Sequence, residues 1–419
     1  MTPLIETSPT MELRPHDIDN LVDELRAYHA LYSPLFQRRE QREWASDYLH
    51  GLLLDIPRKS IEPMVLAMRG DDAKAIRGMQ QFVGAGAWSD QPILERHWCE
   101  VDQTLGDEDG VLTLDGSDFL KQGRESVGVK RQDCGAVGKR ANCQAGVFLG
   151  YASYAGYTLL DRRLYLPQEW VADESDAERR RTCGVPHDIT FKTKPELGWD
   201  MIRTVVDHQG LRCRWVTCDE AFGRDSALLD QVAGSGLWYF AEVPHDTRVW
   251  RQRPEMAVPQ WSGRGRTPTR ACLCPGQAEA EEGKAVAASL PSVQWSRQLI
   301  KEGSKGPLVA DFAVSRVVAV RHGLPGPEVW LVLRRNLETG AWKTYVCNAP
   351  MATSLKTLVR LSGMRWPSET CFEEGKQYLG LGHYEVRSWR GWHHHMTLCL
   401  LAHFFLVRQQ QRLKKTAVA

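Results

Sequence analysis

The chain has 419 residues, 42% apolar and 25% charged, with a formal net charge of +1. That size predicts two or three domains, and the composition is that of a folded globular protein rather than a disordered or fibrous one. No apolar run reaches the roughly eighteen residues of a membrane helix, since the longest, Met396 to Val407, is broken by His403, so no membrane contact is expected.

Residues 1–105 read as an N-terminal helical domain. Met1 to Thr10 holds Glu6 and two prolines but no basic segment, so no secretory leader is expected and a cytoplasmic protein follows. Arg38 to Leu54 carries Trp44, Tyr48, Leu52 and Leu53 at helical spacing, and Ser60 to Met68 and Ala73 to Val83 continue the pattern. Ser89-Asp90 ahead of Pro92 predicts a helix start with a capping side chain before a first-turn proline. Arg38, Arg39, Arg42, Arg58 and Lys59 offer contacts to DNA phosphates. A helical packing domain fits the same residues equally well.

From Gly110 the pattern changes to short strands. Val111–Leu114, Gln144–Tyr151, Thr158–Tyr165 and Cys213–Cys218 are the candidates, with a hairpin turn between Gly150 and Tyr157. Lys194-Pro195-Glu196 leads into a helix from Leu197 to Gln209. Strand, strand, strand, helix, strand is the order of an RNase H-like core, an α/β fold with a mixed sheet flanked by helices. Residues 106–237 are assigned as its first part. Residues 238–350 read as a β-rich insertion. Its loop-like stretch, Arg251 to Pro291, is followed by strands at Leu308–Val314, Ser315–Val320, Val329–Arg334 and Trp342–Val346, with a hairpin near Asn336 and Gly340. Residues 351–419 return to helix and complete the core.

Eleven cysteines in no framework spacing, without a Cys-x-x-Cys pair, predict reduced thiols. Cys272 and Cys274 are read as incidental. Although the whole chain is near neutral, the stretch from Lys356 to Lys415 has ten Lys or Arg against four acids. A local basic surface of that kind suits phosphate contact at one face.

Three acids stand out within this frame. Asp115 closes the run Val111-Leu112-Thr113-Leu114, and Asp219 closes Trp215-Val216-Thr217-Cys218. Glu369 lies on a predicted helix inside the basic stretch. Such side chains gather at strand ends in open sheets, and Mg²⁺ prefers oxygen ligands. Two strand-end carboxylates and a helical one suit a two-metal centre for cutting and joining phosphodiesters. A single strand-end Asp is more often a turn or cap residue, and Asp118, Glu220, Asp225, Glu373 and Glu374 compete for the same roles. His393-His394-His395 has the look of a metal cluster, but adjacent helical residues point apart.

Arg365, three residues, Glu369, six residues and Lys376 resemble the Arg-Glu-Lys half of the Tyr-Arg-Glu-Lys signature of bacterial DDE-type insertion-sequence transposases. The stretch Leu379-Gly380-Leu381-Gly382-His383-Tyr384-Glu385-Val386-Arg387-Ser388-Trp389-Arg390-Gly391-Trp392-His393-His394 is similar to a block that marks one branch of them. Further similar blocks are Asp115 to Gln132, Asn142 to Gln144, Arg162 to Pro167, Lys194 to Leu197 and Asp219 to Asp225. One departure is Ser362, which stands where the signature tyrosine belongs.

The resemblance implies an RNase H-like catalytic domain in which Asp115, Asp219 and Glu369 bind two Mg²⁺ ions, with Mn²⁺ able to substitute. The implied activity is recognition of terminal inverted repeats, strand cleavage and strand transfer into target DNA. The implied partner is double-stranded DNA, bound by a homodimer in a synaptic complex, which makes the protein nucleoid-associated. Arg365 and Lys376 are the expected backbone contacts beside Glu369. Lys121, Arg124, Lys130 and Arg131 flank the first catalytic strand and join them as candidates. Arg387 and Arg390 are added with Trp389 and Trp392, of which one is placed to stack on an unpaired base, core packing being the ordinary role of each. Two other readings fit the same residues: an inactive or domesticated relative that binds DNA as a regulator, and an RNase H-like nuclease without strand transfer.

Overall fold

The computed structural model describes residues 20–302 and 306–418. The N-terminal residues read above for a leader lie outside this range. The chain forms two compact units. One runs up to Arg214 and resumes at Trp366, and the other is Trp215–Arg365. Both combine helices with sheet, and the fold is mixed α/β, as expected of an RNase H-like core.

The first unit opens with α1 (Leu21–Ala30), α2 (Arg39–Leu53), α3 (Ile61–Arg69), α4 (Ala73–Gly84) and α5 (Gln91–Leu105). The helical patterns expected at 38–54, 60–68 and 73–83 match α2, α3 and α4 to within one residue at either end. Asp72 caps α4 by accepting from the amides of Lys74 and Ala75 at 3.0 and 2.9 Å. Asp90 does not cap α5 as expected: its carboxylate goes to Arg162 instead. A buried guanidinium gains more from a second carboxylate than first-turn amides, which water can reach at the surface, gain from a cap.

Four antiparallel strands follow: β1 (Val111–Leu120), β2 (Lys130–Cys134), β3 (Lys139–Ala152) and β4 (Tyr157–Tyr165). The long β3 pairs with each of the others. The β3–β4 turn sits at the predicted position, closed by Ser153 donating to the Gly156 carbonyl at 2.9 Å. β1 is longer than the sequence suggests. Asp115 reads as the close of this strand, yet beyond it Gly116 pairs with Val147 and Asp118 with Ala145. Asp115 therefore sits within a strand and not at its end, because pairing along β3 carries β1 past the apolar run. Two short helices, α6 (Gln168–Ala172) and α7 (Ala177–Thr182), precede α8 (Lys194–His208). Thr193 and Glu196 form a reciprocal capping box around Pro195, which starts α8 three residues earlier than predicted. Gly198 lets α8 close on β1, since a Cβ there would lie 2.5 Å from Leu114 Cδ2.

In the second unit β5 (Trp215–Cys218) leads through α9 (Glu220–Gly223) and α10 (Ser226–Gly234) to β6 (Trp238–Val243), parallel to β5. The chain continues as β7 (Arg248–Trp250), β8 (Met256–Ala257), β9 (Cys272–Leu273), β10 (Glu281–Glu282) and α11 (Gly283–Ser289). Then come β11 (Ser296–Lys301), β12 (Leu308–Arg321), β13 (Leu324–Asn336), β14 (Trp342–Cys347) and α12 (Leu355–Gly363). The order β6-β14-β13-β12-β7-β10 is antiparallel throughout, so the parallel β5–β6 pair makes this sheet mixed. The two strands expected at Leu308–Val314 and Ser315–Val320 are one continuous β12, and the loop-like stretch contains the helix α11. Asn336 Oδ1 accepts the amides of Glu338 and Thr339 at 2.9 Å, and Gly340 at φ +66° completes the β13–β14 turn.

The first unit resumes with α13 (Trp366–Tyr378) and α14 (Trp389–Val418). α14 passes through the unit's core. Tyr28 donates to the Leu401 carbonyl at 3.0 Å, and Tyr48 hydrogen-bonds His395 Nδ1 at 2.8 Å. The His394 ring lies 3.5 Å from that of Trp88, and its nitrogens meet the carbonyls of Val83 and Trp88. His393, His394 and His395 are all buried, so this run is packing and not a metal cluster. Among the described residues no helix is long and apolar enough to cross a membrane.

One buried charge network ties β4 to α14. Arg162, 2% exposed, donates to Asp161 Oδ1 at 3.2 Å, to Thr397 Oγ1 at 2.6 Å and to Asp90. Arg163 reaches the same Asp161 oxygen at 2.7 Å. Removing one member of such a set strands a charge that burial cannot tolerate, at a cost of about 3–5 kcal/mol. Arg162→Ala is thus expected to lose about that much stability in chemical denaturation. A loss below about 1 kcal/mol would contradict the role given to the network.

Candidate active site

Asp219 follows the last residue of β5, whose four residues are all buried. Its Oδ1 accepts the amides of Ala221 and Phe222 at 3.0 and 3.3 Å, capping α9 and fixing the carboxylate. Oδ2 stands 3.7 Å from Arg365 Nη1. Burial pushes the carboxyl above the usual aspartate range, although Arg365 and the two amides pull the other way. A carboxylate that is fixed, half-buried and reluctant to ionise gains from a cation placed against it.

Sequence reasoning passes over Glu242. In the β5–β6 register Cys218 pairs with Ala241, so Glu242 comes next to Asp219 and adds to its upward shift. Glu242 is tied to Lys343 at 2.9 Å. The available signal is an acid inside the apolar run Trp238–Val243. Gly223 lets α9 close on this strand, because a Cβ there would lie 2.0 Å from the Glu242 carbonyl oxygen.

Asp115 and Glu369 both belong to the first unit. Leu112 and Leu114 of β1 form one face, and Thr113, Asp115 and Phe119 the other. Ser368 Oγ donates to Thr113 Oγ1 at 2.7 Å, with both side chains buried. Farther along, Lys376 Nζ lies 3.4 Å from the Asp118 carbonyl and 5.4 Å from the centre of the Phe119 ring. α13 therefore runs along β1 in the strand's own direction, and Glu369, the residue after Ser368, is carried to the part of β1 that holds Asp115. Asp115 Oδ1 accepts the Gly116 amide at 2.8 Å. Lys376 is two helical turns beyond Glu369 and so shares its face, and burial pulls its ammonium below the usual lysine range.

The competing acids are otherwise placed. Glu374 bonds the Tyr157 hydroxyl at 3.1 Å and His403 Nε2 at 2.9 Å. Asp225 caps α10 through the Leu228 amide at 3.0 Å, and Asp118 accepts the Gly135 amide at 2.6 Å. Glu220 pairs with Arg224, and Glu373 is exposed. Among the described residues no three or more His, Cys, Asp or Glu side chains form a ready-made cage. Mg²⁺ commonly uses one or two carboxylates and completes its shell with water and phosphate.

The expected DNA contacts divide sharply. Arg124, Arg131, Arg387 and Arg390 are exposed. Lys130 pairs with Glu169. Lys121 is committed to the fold: it donates to the Tyr384 carbonyl at 3.1 Å, lies 3.4 Å from the centre of that ring, and is pushed down to about 8 by burial. Trp389 is half-buried, 4.4 Å from the His393 ring. Trp392 is fully buried against Phe148, so base stacking by Trp392 gives way to core packing. Lys59 is likewise buried, donating to the Leu52 carbonyl at 2.8 Å. Ser362, at the signature tyrosine's position, is buried and bonds the Val359 carbonyl at 2.7 Å within α12.

Much of the stretch after Leu379 is scaffold. His383 Nδ1 accepts the Lys59 amide at 3.1 Å, and Glu385 pairs with Arg58. The Arg387 carbonyl accepts the Val127 amide at 2.9 Å. Ser388 donates to the Gly84 carbonyl at 2.9 Å, and the Trp389 amide donates to the Cys183 carbonyl at 2.8 Å. These bonds fasten the N-terminal helices and the segment after β1 to the start of α14.

A family model described as DDE superfamily endonuclease matches residues 31–307, about two thirds of the chain. The matched span includes Asp115 and Asp219 and ends before Glu369. Among curated proteins, none matches the chain. The chain belongs to the DDE superfamily endonucleases.

The close approach at Gly223 can be tested directly. Gly223→Ala drives a methyl group into the Glu242 carbonyl, and overpacking of this kind costs about 1–3 kcal/mol. The urea midpoint is expected to fall accordingly. A wild-type midpoint would show that α9 does not need this contact.

Proposed function

We propose that this DDE endonuclease is a DNA transposase of the insertion-sequence type, in the Tyr-Arg-Glu-Lys branch. It binds terminal inverted repeats as a homodimer and performs Mg²⁺-dependent strand cleavage and strand transfer on double-stranded DNA. Asp115, Asp219 and Glu369 are its catalytic acids. The observation that carries this reading is the Ser368–Thr113 hydrogen bond, which sets Glu369 over the part of β1 that holds Asp115.

The three donors offer carboxylate oxygens only, which suits Mg²⁺ and admits Mn²⁺. When bound, two such ions supply the charge that activates water or a DNA 3′-hydroxyl and stabilises the departing oxygen. The remaining work falls to the chain itself. Asp219 needs no reorientation, because two backbone amides already hold Oδ1. Arg365 balances the ionised Asp219, and its planar guanidinium is of the kind that suits a phosphate. Lys376 places a second positive charge two turns along the face of Glu369. No covalent protein nucleophile is required.

Asp115→Ala, Asp219→Ala and Glu369→Ala are each expected to lower cleavage by about a thousandfold or more, equivalent to several kcal/mol of transition-state stabilisation. Binding to transposon ends should survive in each. Asp118→Ala and Glu373→Ala should cleave normally. Full activity in any of the first three would remove that residue from the site. Joined products on a target plasmid, present with Mg²⁺ and absent with EDTA, separate a transposase from a nuclease or a DNA-binding regulator.

Asp219 also makes a pH prediction. Its folded-state pKa is raised, so protonation favours the fold, and the ionised form costs stability as pH rises through that value. Asp219→Asn should keep the cap and melt at or above the wild-type temperature at neutral pH without Mg²⁺. The advantage should vanish below roughly pH 3.9, where the wild-type side chain is protonated in both states. A lower melting temperature at neutral pH would contradict a strained carboxylate.

A further inference from the structure

β8 (Met256–Ala257) and β9 (Cys272–Leu273) pair antiparallel and close off the loop 258–271. Between Glu255 and Glu279 the chain has no acidic residue, and this loop carries Arg264, Arg266 and Arg270, all exposed. Arginines at the foot of the loop are occupied. Arg251 pairs with Glu281 at 2.8 Å, and Arg253 donates to the Gly326 carbonyl at 2.8 Å. Among the described residues no carboxylate forms an ion pair with the three on the loop.

The loop is also shaped. Trp261 Nε1 donates to the Gly265 carbonyl at 3.3 Å and cinches residues 261–265. Gly263 and Gly265, at φ +82° and +76°, take backbone conformations that L side chains rarely adopt. A Cβ at either glycine would meet no atom within 4 Å, so the turn stands clear of its surroundings. The result is a thin, tied turn in which Arg264 and Arg266 alternate with glycine.

We propose that this loop is a second contact for duplex DNA, separate from the catalytic acids and made through phosphates and a groove. This rests on the reading that the protein acts on DNA. Exposed guanidiniums without acidic neighbours are the electrostatic signature of a backbone contact. A slender turn with arginine at its tip suits a groove, as in proteins that place arginine in the narrow minor groove. A single strand is the poorer match: such sites stack successive bases on several aromatic rings, and residues 256–278 contain only Trp261.

The test uses the full chain, a duplex of about 30 base pairs of unrelated sequence and a single strand of the same length. The triple variant Arg264→Ala/Arg266→Ala/Arg270→Ala should bind the duplex roughly 10- to 100-fold more weakly at physiological salt. Its log–log salt slope should be shallower by about 2 to 3, the loss of up to three phosphate contacts. Melting should be unchanged, because the three side chains are exposed, and the triple lysine variant should recover most of the slope. Trp261→Phe should weaken binding by releasing the turn while all charges remain. Wild-type affinity and slope in the alanine variant, or a loss confined to the single strand, would overturn the proposal. A wild-type protein that neither binds nor cuts DNA would instead overturn the transposase reading along with it.

Discussion

The hydroxyl of Ser368 donates to that of Thr113 at 2.7 Å where both side chains are 2% exposed. Each hydroxyl would be costly to bury alone, and as a pair they fix the seating of α13 on β1. Because a strand alternates its faces and a helix advances 1.5 Å per residue, one such bond determines much else. Glu369 follows Ser368, Asp115 lies two residues beyond Thr113 on the same face, and Lys376 reaches the carbonyl of Asp118. The placement of Glu369 and Lys376 along β1 is thus set in good part by two small buried polar side chains.

Asp219 is organised by a different means. It is held by a helix start and a nearby guanidinium, and burial leaves it ready to accept positive charge. The same economy of buried polar groups runs through the first unit. Arg162 is retained only because Asp161, Asp90 and Thr397 meet it, and the histidines of α14 are spent on backbone carbonyls and ring packing.

Where a signal is local, the amino-acid sequence carries it. Pro195 and Glu196 mark the start of α8, and glycine-rich turns mark the β3–β4 and β13–β14 hairpins. Local signals mislead where a distant partner overrules them. Asp115 reads as the end of its strand, but β1 runs on through Gly116, held by its pairing with Val147. Asp90 reads as a cap but is claimed by Arg162, far away in sequence. Sequence likeness also gives scaffold and contact the same weight. His383, Glu385 and Ser388 serve packing within the unit, and Trp392 is core despite its arginine neighbours. Glu242 shows in the sequence only as an acid inside an apolar run, because its nearness to Asp219 depends on parallel strand register.

We propose above that Asp115, Asp219 and Glu369 hold the metal ions. Iron-mediated hydroxyl-radical cleavage of the polypeptide reads this without relying on enzymatic turnover. Fe²⁺ substituted for Mg²⁺ should cut the chain near residues 115, 219 and 369, and excess Mg²⁺ should suppress those cuts. Cuts elsewhere, or cuts at these places that Mg²⁺ leaves untouched, would contradict the account.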